Sequence, residues 1–189
     1  MTPARNDGER MGTLGHLESV AREWLAQPER IPLFERPRVA RRRVRLWHHP
    51  SLRGPWVSLL LYEGDARRFH PSGMSPAFEV TWDRGRDAEL VRVGEPTAAA
   101  PESPSVTWRR CLLPTELVQR RYQALQRLVF RPFSLSGIGT DGFTRGVEGT
   151  LGFGATSIAW WGTAPEDFEP LARWYEEVWD EVRRGMSTA

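Results

Sequence analysis

The chain has 189 residues, of which 40% are hydrophobic and 26% are charged, and its formal net charge is +2. That length supports one domain with a substantial core, the composition excludes a disordered chain, and the small net charge gives no general argument for nucleic acid. All 26 basic residues are arginine, which excludes a Schiff-base lysine, a P-loop lysine and a lysine general base.

The single cysteine, Cys111, cannot form an internal disulfide, and it stands in the apolar context RRCLL. Thiols in such surroundings usually act as small hydrophobic side chains, and we expect a cytoplasmic location. The longest apolar run, residues 57–62, is far too short to span a bilayer, and the N-terminus lacks the apolar segment of a signal peptide. We therefore predict that no membrane is among the partners of this chain.

In the first half of the chain, residues 1–12 are polar and without periodicity. This predicts a flexible leader before a single domain at residues 13–185, with a short tail at residues 186–189. From Thr13 to Pro28 the apolar residues recur at helical spacing, which predicts an amphipathic helix with Thr13 as its N-cap. Short runs rich in β-branched and aromatic residues then predict strands at residues 42–47, 56–62, 77–82, 88–93 and 106–112.

The second half of the chain predicts two further helices around a hairpin. Thr115 begins one helix, whose apolar face continues until Arg131 and Pro132 end it. The last helix begins within residues 163–170 and has an apolar stripe of Leu171, Trp174, Tyr175, Val178, Trp179 and Val182. With no internal repeat and no βαβ alternation, these elements predict an α+β fold, with about three helices packed on one face of a mostly antiparallel sheet.

Residues 137–142 read GIGTDG, the glycine pattern G-x-G-x-x-G that binds a dinucleotide when a helix follows it. Here further glycines follow, and each costs a helix interior about 1 kcal/mol relative to alanine. The same stretch alternates well as a hairpin, with Phe143, Val147 and Leu151 on one strand face. We therefore predict a hairpin here, and no cofactor anywhere in the chain.

The C-terminal quarter of the sequence contains Asp-Gly, a glutamate six residues later, a glycine-rich turn, Trp-Trp-Gly and a helix started by proline. The residues that form this pattern are Asp141, Gly142, Glu148, Trp160, Trp161, Gly162 and Pro165. The pattern resembles the C-terminal part of many small bacterial α+β proteins, some of which are immunity proteins of toxin systems. The resemblance implies a protein partner, such as a toxin, and none of its motifs is catalytic.

Two groups of residues are candidates for contact with a protein partner. The acidic face of the last helix could steer a basic toxin, and it consists of Glu176, Glu177, Asp180 and Glu181. The hairpin adds Asp141, Arg145 and Glu148. Each group also has a structural explanation. The acidic face is an ordinary solvated face, Asp141 supplies a turn, and Arg145 pairs with Glu79 or Asp83, lies at a sheet edge or lines a pocket.

Basic residues are concentrated at residues 35–47, in the sequence ERPRVARRRVRLW. Strand alternation places Arg43 and Arg45 on one face with Trp47, and Arg42 on the other face with Val44 and Leu46. Arg41, Arg43, Arg45 and Trp47 could therefore contact the phosphates and bases of a nucleic acid. Alternatively, the charges protect an exposed edge strand from aggregation.

The histidines give no metal-binding pattern. His48 and His49 are adjacent on a strand and so point to opposite faces, and neither H-x-x-x-H nor C-x-x-C occurs. We predict a non-enzymatic protein-binding domain, with an immunity-type inhibitor of a bacterial toxin as its most specific form. A nucleic-acid-binding module that uses residues 41–47 is the alternative. A second alternative is an enzyme with an unrecognised site near His48, His49 and Asp83.

Overall fold

The computed structural model describes residues 7–34, 41–51, 54–63, 73–93, 103–129, 142–151 and 154–188. Within these ranges the helices are α1 (Asp7–Ala26), α2 (Arg84–Val93), α3 (Thr115–Arg127) and α4 (Glu169–Ser187), with 3-10 turns at Pro28–Arg30 and Glu166–Phe168. The strands are β1 (Arg41–Pro50), β2 (Trp56–Glu63), β3 (Met74–Trp82), β4 (Val106–Pro114), β5 (Phe143–Leu151) and β6 (Gly154–Trp161).

The six strands form one antiparallel sheet in the order β4-β3-β2-β1-β5-β6. Sheet and helices together confirm the α+β class predicted from the sequence. The predicted hairpin is present as β5 and β6, which pair from Thr144 with Trp161 to Leu151 with Gly154. The glycine pattern at residues 137–141 lies outside the described residues, and Gly142 leads directly into β5.

The helices lie on both faces of the sheet, so their predicted placement on one face is wrong. Val57, Leu59 and Leu61 of β2 belong to a core with α3 and α4, which includes Val118, Leu171, Trp174, Tyr175, Val178 and Val182. The alternate residues Trp56, Leu60 and Tyr62 belong to a second core with Ala21 and Leu25 of α1. A strand that is apolar on both sides removes both sides from water only when helices cover both.

The predicted strand at residues 88–93 is instead part of α2. Asp83 stands immediately before this helix, and its Oδ1 accepts a hydrogen bond from the backbone N–H of Arg86 at 3.0 Å, which satisfies one free helical donor. The buried Asp87 accepts hydrogen bonds from Trp82 Nε1 at 2.7 Å and from the backbone N–H of Ser105 at 2.8 Å. These contacts hold α2 against the end of β3.

Three predicted helix boundaries also differ in the structure. The helix α3 ends at Arg127, before the predicted end at Arg131. The helix α1 begins at Asp7, so Thr13 lies inside it and is not its N-cap. The helix α4 continues to Ser187, and the buried Met186 belongs to the α3 and α4 core rather than to a tail. Across the ranges that the structure describes, the helices do not include one that is both long and apolar enough to cross a membrane.

A β-bulge in β1 rearranges the arginine-rich strand. The pairing of β1 with β2 shifts between Arg42 and Val44. At this point the side chains of β1 therefore do not alternate strictly between the two faces of the sheet. Arg42 therefore shares the α1 face with Arg45, because both contact Glu148. Arg43 turns to the α3 face, where its guanidinium carbon lies 5.1 Å from the ring centre of Tyr122. The predicted grouping of Arg43 with Arg45 is thus wrong.

Candidate functional site

The predicted acidic face of α4 is largely occupied by internal arginines. Arg121 of α3 donates hydrogen bonds to Glu181 at 2.6 and 3.0 Å and to Glu177 at 2.6 Å, and its pKa is raised by these carboxylates. Glu176 forms an ion pair with Arg145. For Asp180, the described part of the chain contains no side-chain ion pair. Three of the four carboxylates therefore have part of their charge balanced within the molecule.

Arg145 pairs with neither Glu79 nor Asp83. Its guanidinium contacts Glu176, donates a hydrogen bond to His48 Nδ1 at 3.3 Å, and lies 4.5 Å from the ring centre of Phe143. Glu79 instead contacts Arg109 and Arg183, at 2.8 and 3.1 Å. Arg145 thus holds β1, β5 and α4 together.

The remaining predicted partner-binding residues do not join Arg145. Glu148 lies on the opposite face of the sheet, where its carboxylate receives a 2.7 Å hydrogen bond from Arg42. Asp141 lies outside the described residues. The structure therefore brings Arg145 together with the acidic face of α4 and places Glu148 elsewhere.

The arginine strand presents no single exposed strip of the predicted residues. Arg41 is exposed, and Arg43 forms an ion pair with Glu63 on the α3 face. Arg45 and Trp47 lie together on the α1 face, with exposed fractions of only 7% and 8%. The Arg45 guanidinium carbon lies 4.8 Å from the ring centre of Trp47. Binding of nucleic acid through these residues remains a prediction.

His48 and His49 point to opposite faces, as predicted, and each lines a different cleft. Burial lowers the pKa of His48 to about 4 and that of His49 to about 3, and nearby arginines act in the same direction. Both rings are therefore neutral at pH 7, where such weak bases are poor proton acceptors. The third residue of the predicted enzyme site, Asp83, caps α2.

Burial raises the pKa of the Cys111 thiol and of the Tyr175 hydroxyl.

The cleft at His49, which we call the arginine–tryptophan cleft, is the most distinctive site on the described surface. It has a volume of about 510 Å³ and lies between α1 and the strands β1, β5 and β6. The described residues that line it are Glu18, Arg22 and Ala26 of α1, Arg45, Trp47, His49 and Pro50 of β1, Ser51, Trp56, Arg84, Thr144, Ala159 and Trp161. It thus combines guanidinium groups with indole rings.

A glycine makes room for one wall of the arginine–tryptophan cleft. Gly146 of β5 pairs with Trp47 of β1, and a Cβ atom at Gly146 would lie only 2.0 Å from Cζ2 of the Trp47 ring. Only a residue without a side chain allows the indole to lie directly over β5. The position of Trp47 therefore depends on this glycine.

Among the described residues, three arginines line the cleft and Glu18 provides its one carboxylate. Glu18 lies 3.2 Å from Nη2 of Arg22 and 3.5 Å from Nε of Arg84. Arg45 lies deeper, where its Nε is 3.3 Å from Ser58 Oγ and its Nη1 is 3.6 Å from Glu148 Oε2. Burial lowers the pKa of Arg45 to about 10, so it is still charged at pH 7. The lining has a net positive charge.

Two nitrogen atoms of the lining have no hydrogen-bond partner in the part of the chain that the structure describes. They are Nε2 of His49 and Nε of Arg84, and both are buried. The Arg84 nitrogen is within ion-pair distance of Glu18, but the geometry does not make a hydrogen bond. Buried polar atoms normally have partners, so these two suit a site that is completed by a ligand.

Most of this cleft was not predicted from the sequence. Arg45, Trp47 and His49 were candidate site residues, and Trp161 was named only as part of the C-terminal pattern. Arg22, Trp56 and Arg84 were not singled out. The Glu18 and Arg22 pair has the i,i+4 spacing of one helix face, and the adjacent Trp160 and Trp161 must point to opposite faces of a strand. Trp160 is indeed buried in the α4 core, while Trp161 is partly exposed in the cleft.

The two edges of the sheet also differ. The edge strand β4 carries Arg109 and Arg110 and ends at Pro114, and charges and proline protect an edge against additional strands. The opposite edge strand, β6, reads GATSIAWW and contains neither charge nor proline. Gly154, Ala155, Thr156 and Ser157 are exposed, and only β5 pairs with β6 among the described residues. Within the described ranges, the outer backbone of β6 is therefore left without a neighbouring strand.

Comparison with known proteins identifies no relative. No family model, no curated protein and no solved structure matches this chain.

Proposed function

We propose that this chain is a protein-binding domain that pairs its edge strand β6 with an extended segment of a protein partner. We further propose that its role is that of an immunity-type inhibitor of a cognate bacterial toxin. The observation that supports binding at β6 is the contrast between the two edges of the sheet. An eight-residue strand without charge or proline suits strand addition, whereas β4 carries features that oppose it.

The side chains of β6 favour a partner strand as the occupant of this edge. Exposed glycine, alanine, serine and threonine leave the main chain open, and main-chain hydrogen bonds supply the affinity in strand addition. Eight residues of strand extend about 26 Å, at about 3.3 Å per residue. A partner segment of comparable length could therefore continue the sheet as a seventh strand.

The immunity role rests on the C-terminal sequence resemblance. The described residues that carry this resemblance lie in β5 and β6 or within a few residues of them, next to the proposed binding edge. The acidic face of α4 contributes less steering than its sequence suggests, because Arg121 and Arg145 contact three of its carboxylates. We therefore place the partner contact primarily at β6 and treat the acidic face as secondary.

The first experiment tests both the partner and the edge. The chain is co-expressed with the product of the adjacent gene, and complex formation is measured with growth protection. Thr156→Lys places a charge on β6, and we expect it to weaken binding at least tenfold, or about 1.4 kcal/mol. Thr107→Lys is the matched control, because Thr107 is an exposed threonine on the protected edge β4.

The outcomes separate the two parts of this proposal. A chain that neither binds nor protects against the neighbouring product would overturn the immunity role. Binding that is equally strong in Thr156→Lys and Thr107→Lys would retain a protein partner but reject β6 as its site. Self-association through β6, detected by a change in molecular mass that Thr156→Lys abolishes, would replace the foreign partner by a second copy of this chain.

A further inference from the structure

We infer that the arginine–tryptophan cleft binds a small organic molecule that carries an anionic group beside a flat conjugated ring. Nucleoside phosphates and aromatic carboxylates share this chemistry. The cleft opens beside α1, β1 and the C-terminal end of β6, so ligand binding there is a separate activity from strand addition at the outer edge of β6.

The anionic group is indicated by the charges of the cleft. Among the residues that the structure describes, Arg22, Arg45 and Arg84 line it with one carboxylate, that of Glu18. The neighbouring Glu148 is shared between Arg42 and Arg45. Arg45 is 93% buried, and its contacts with Ser58 and Glu148 are 3.3 and 3.6 Å long. A buried cation with such long contacts is incompletely compensated, and a bound anion would supply the missing charge-assisted hydrogen bonds.

The flat ring is indicated by three indoles in the same lining, those of Trp47, Trp56 and Trp161. Arg22 and His49 already stack on Trp56, with a guanidinium-to-ring distance of 4.8 Å and a ring-to-ring distance of 4.5 Å. Trp161 remains partly exposed. Aromatic side chains beside arginine commonly bind the planar part of an anionic ligand by stacking.

The unpartnered nitrogens add a third, independent indication. His49 Nε2 and Arg84 Nε are buried and lack hydrogen-bond partners in the described ranges, and both residues line the cleft. A polar ligand could satisfy such atoms after a small movement of the side chains. The volume of about 510 Å³ also lies within the range of about 300–1,000 Å³ that is typical of small-molecule sites.

A small molecule fits these residues better than a nucleic acid strand. A strand would need a line of exposed cations along its phosphates. The bulge in β1 instead sends Arg43 to the other face of the sheet, and Arg45 is buried at the base of a local cleft. The three arginines that remain on the α1 side instead line one local cleft.

The cleft is tested by titration calorimetry of the full chain with defined probes. Adenosine 5′-monophosphate and indole-3-acetate each carry a ring and an anion, adenosine carries the ring alone, and inorganic phosphate carries the anion alone. We expect at least one ring-bearing anion to bind with a Kd below about 1 mM, and at least about tenfold more tightly than adenosine and phosphate. Binding should weaken as ionic strength rises.

Variants locate this binding in the molecule. Because Arg45→Gln removes a buried charge and could unfold the chain, Arg22→Gln is the main variant, and we expect it to weaken binding by about tenfold. Arg173→Gln is the matched control that should leave binding unchanged. Both arginines are exposed on helices and pair with a glutamate four residues earlier, at exposed side-chain fractions of 62% and 67%.

Three results would overturn the inference. The first is that neither ring-bearing anion binds more tightly than adenosine and phosphate. The second is that Arg22→Gln and Arg173→Gln have the same effect. The third is that a single-stranded oligonucleotide binds while adenosine monophosphate and indole-3-acetate do not, which would favour a nucleic-acid surface. Tighter binding of the nucleotide or of the carboxylate identifies which of the two ligand sources the cleft prefers.

Discussion

The two faces of the sheet are covered to different extents. On the face of α3 and α4, the apolar core continues from Cys111 and Leu113 on β4 to Trp160 on β6. On the face of α1 and α2, the buried apolar cluster is confined to side chains of β2, β3 and α1 and of Ile31. Beyond it, the same face of β1, β5 and β6 carries Arg45, Glu148 and Trp161, and the arginine–tryptophan cleft opens there.

This difference shows how helix cover decides what a strand residue can do. The side chains of β1 alternate between the faces, so Leu46 belongs to a continuous core while its neighbours Arg45 and Trp47 line a cleft. Trp161 on the partly covered face stays partly exposed, whereas its neighbour Trp160 on the other face is buried in the core. The covered face therefore provides stability, and the partly covered face provides the candidate binding site.

The largest expected effects test whether a buried leucine contributes equally to the free energy of unfolding in the two cores. Leu171 of α4 and Leu25 of α1 are both fully buried, one in each core. We expect Leu171→Ala and Leu25→Ala each to lower the free energy of unfolding by about 2–5 kcal/mol, measured by urea denaturation. A much smaller loss for Leu25→Ala would mean that α1 docks loosely and that its core is not equivalent to the other.

A somewhat smaller effect is expected at the edge of the cleft. Gly146→Ala places a Cβ 2.0 Å from the Trp47 ring, and relieving this clash should cost about 1–3 kcal/mol of unfolding free energy. Gly12→Ala is the control, since no atom lies within 4 Å of the added Cβ and alanine favours a helix by about 1 kcal/mol. Equal stability of the Gly146→Ala variant and the native chain would show that Trp47 does not lie against β5.

The smallest expected effect is the pH dependence of stability that comes from His48 and His49, which lie on opposite faces of the sheet. Burial lowers the pKa of His48 to about 4 and of His49 to about 3, so both are neutral when folded but take up a proton below about pH 6.5 when unfolded. The unfolded chain then binds more protons, and stability falls as the pH decreases. Between about pH 6 and pH 5, each histidine should contribute a slope approaching about 1.4 kcal/mol per pH unit.

His49→Gln tests the contribution of the cleft face to this slope. We expect the variant to lose about half of the histidine-dependent decrease in unfolding free energy, and His48→Gln to lose the other half. The measurement is urea denaturation at several pH values above the range in which carboxylates titrate. A slope that His49→Gln leaves unchanged would mean that His49 is already solvated and that the cleft face is open to water at this position.

Several elements followed from local patterns alone. The alternation in residues 143–161 predicted the hairpin correctly, and the apolar stripe of α4 predicted five of its six buried residues. Trp179 of the stripe is only partly buried, and the buried Met186 was not predicted. The helix α2 was missed because its apolar residues were read as a strand, although Asp83 stands at its start as an N-cap. The capping residue was a stronger signal than β-propensity in so short a segment.

The candidate site was predicted only in part. Arg45, Trp47 and His49 were recognised as unusual. The bulge that places Arg43 and Arg45 on opposite faces of the sheet could not be predicted from the alternation of residues in the sequence. Arg22, Arg84 and Trp161 come from α1, α2 and β6, which are far apart in the chain. No local pattern could predict that these side chains meet.

The sequence by itself determined the class of fold, the hairpin of β5 and β6, and the opposite orientation of neighbouring strand residues such as His48 and His49. These properties depend on spacing and polarity, which act over a few residues. Only the tertiary structure decided that helices cover both faces, that three carboxylates of the acidic face of α4 are paired internally, and that arginines and tryptophans line one cleft. Those outcomes depend on how far each helix extends over the sheet, which is set by packing between distant segments.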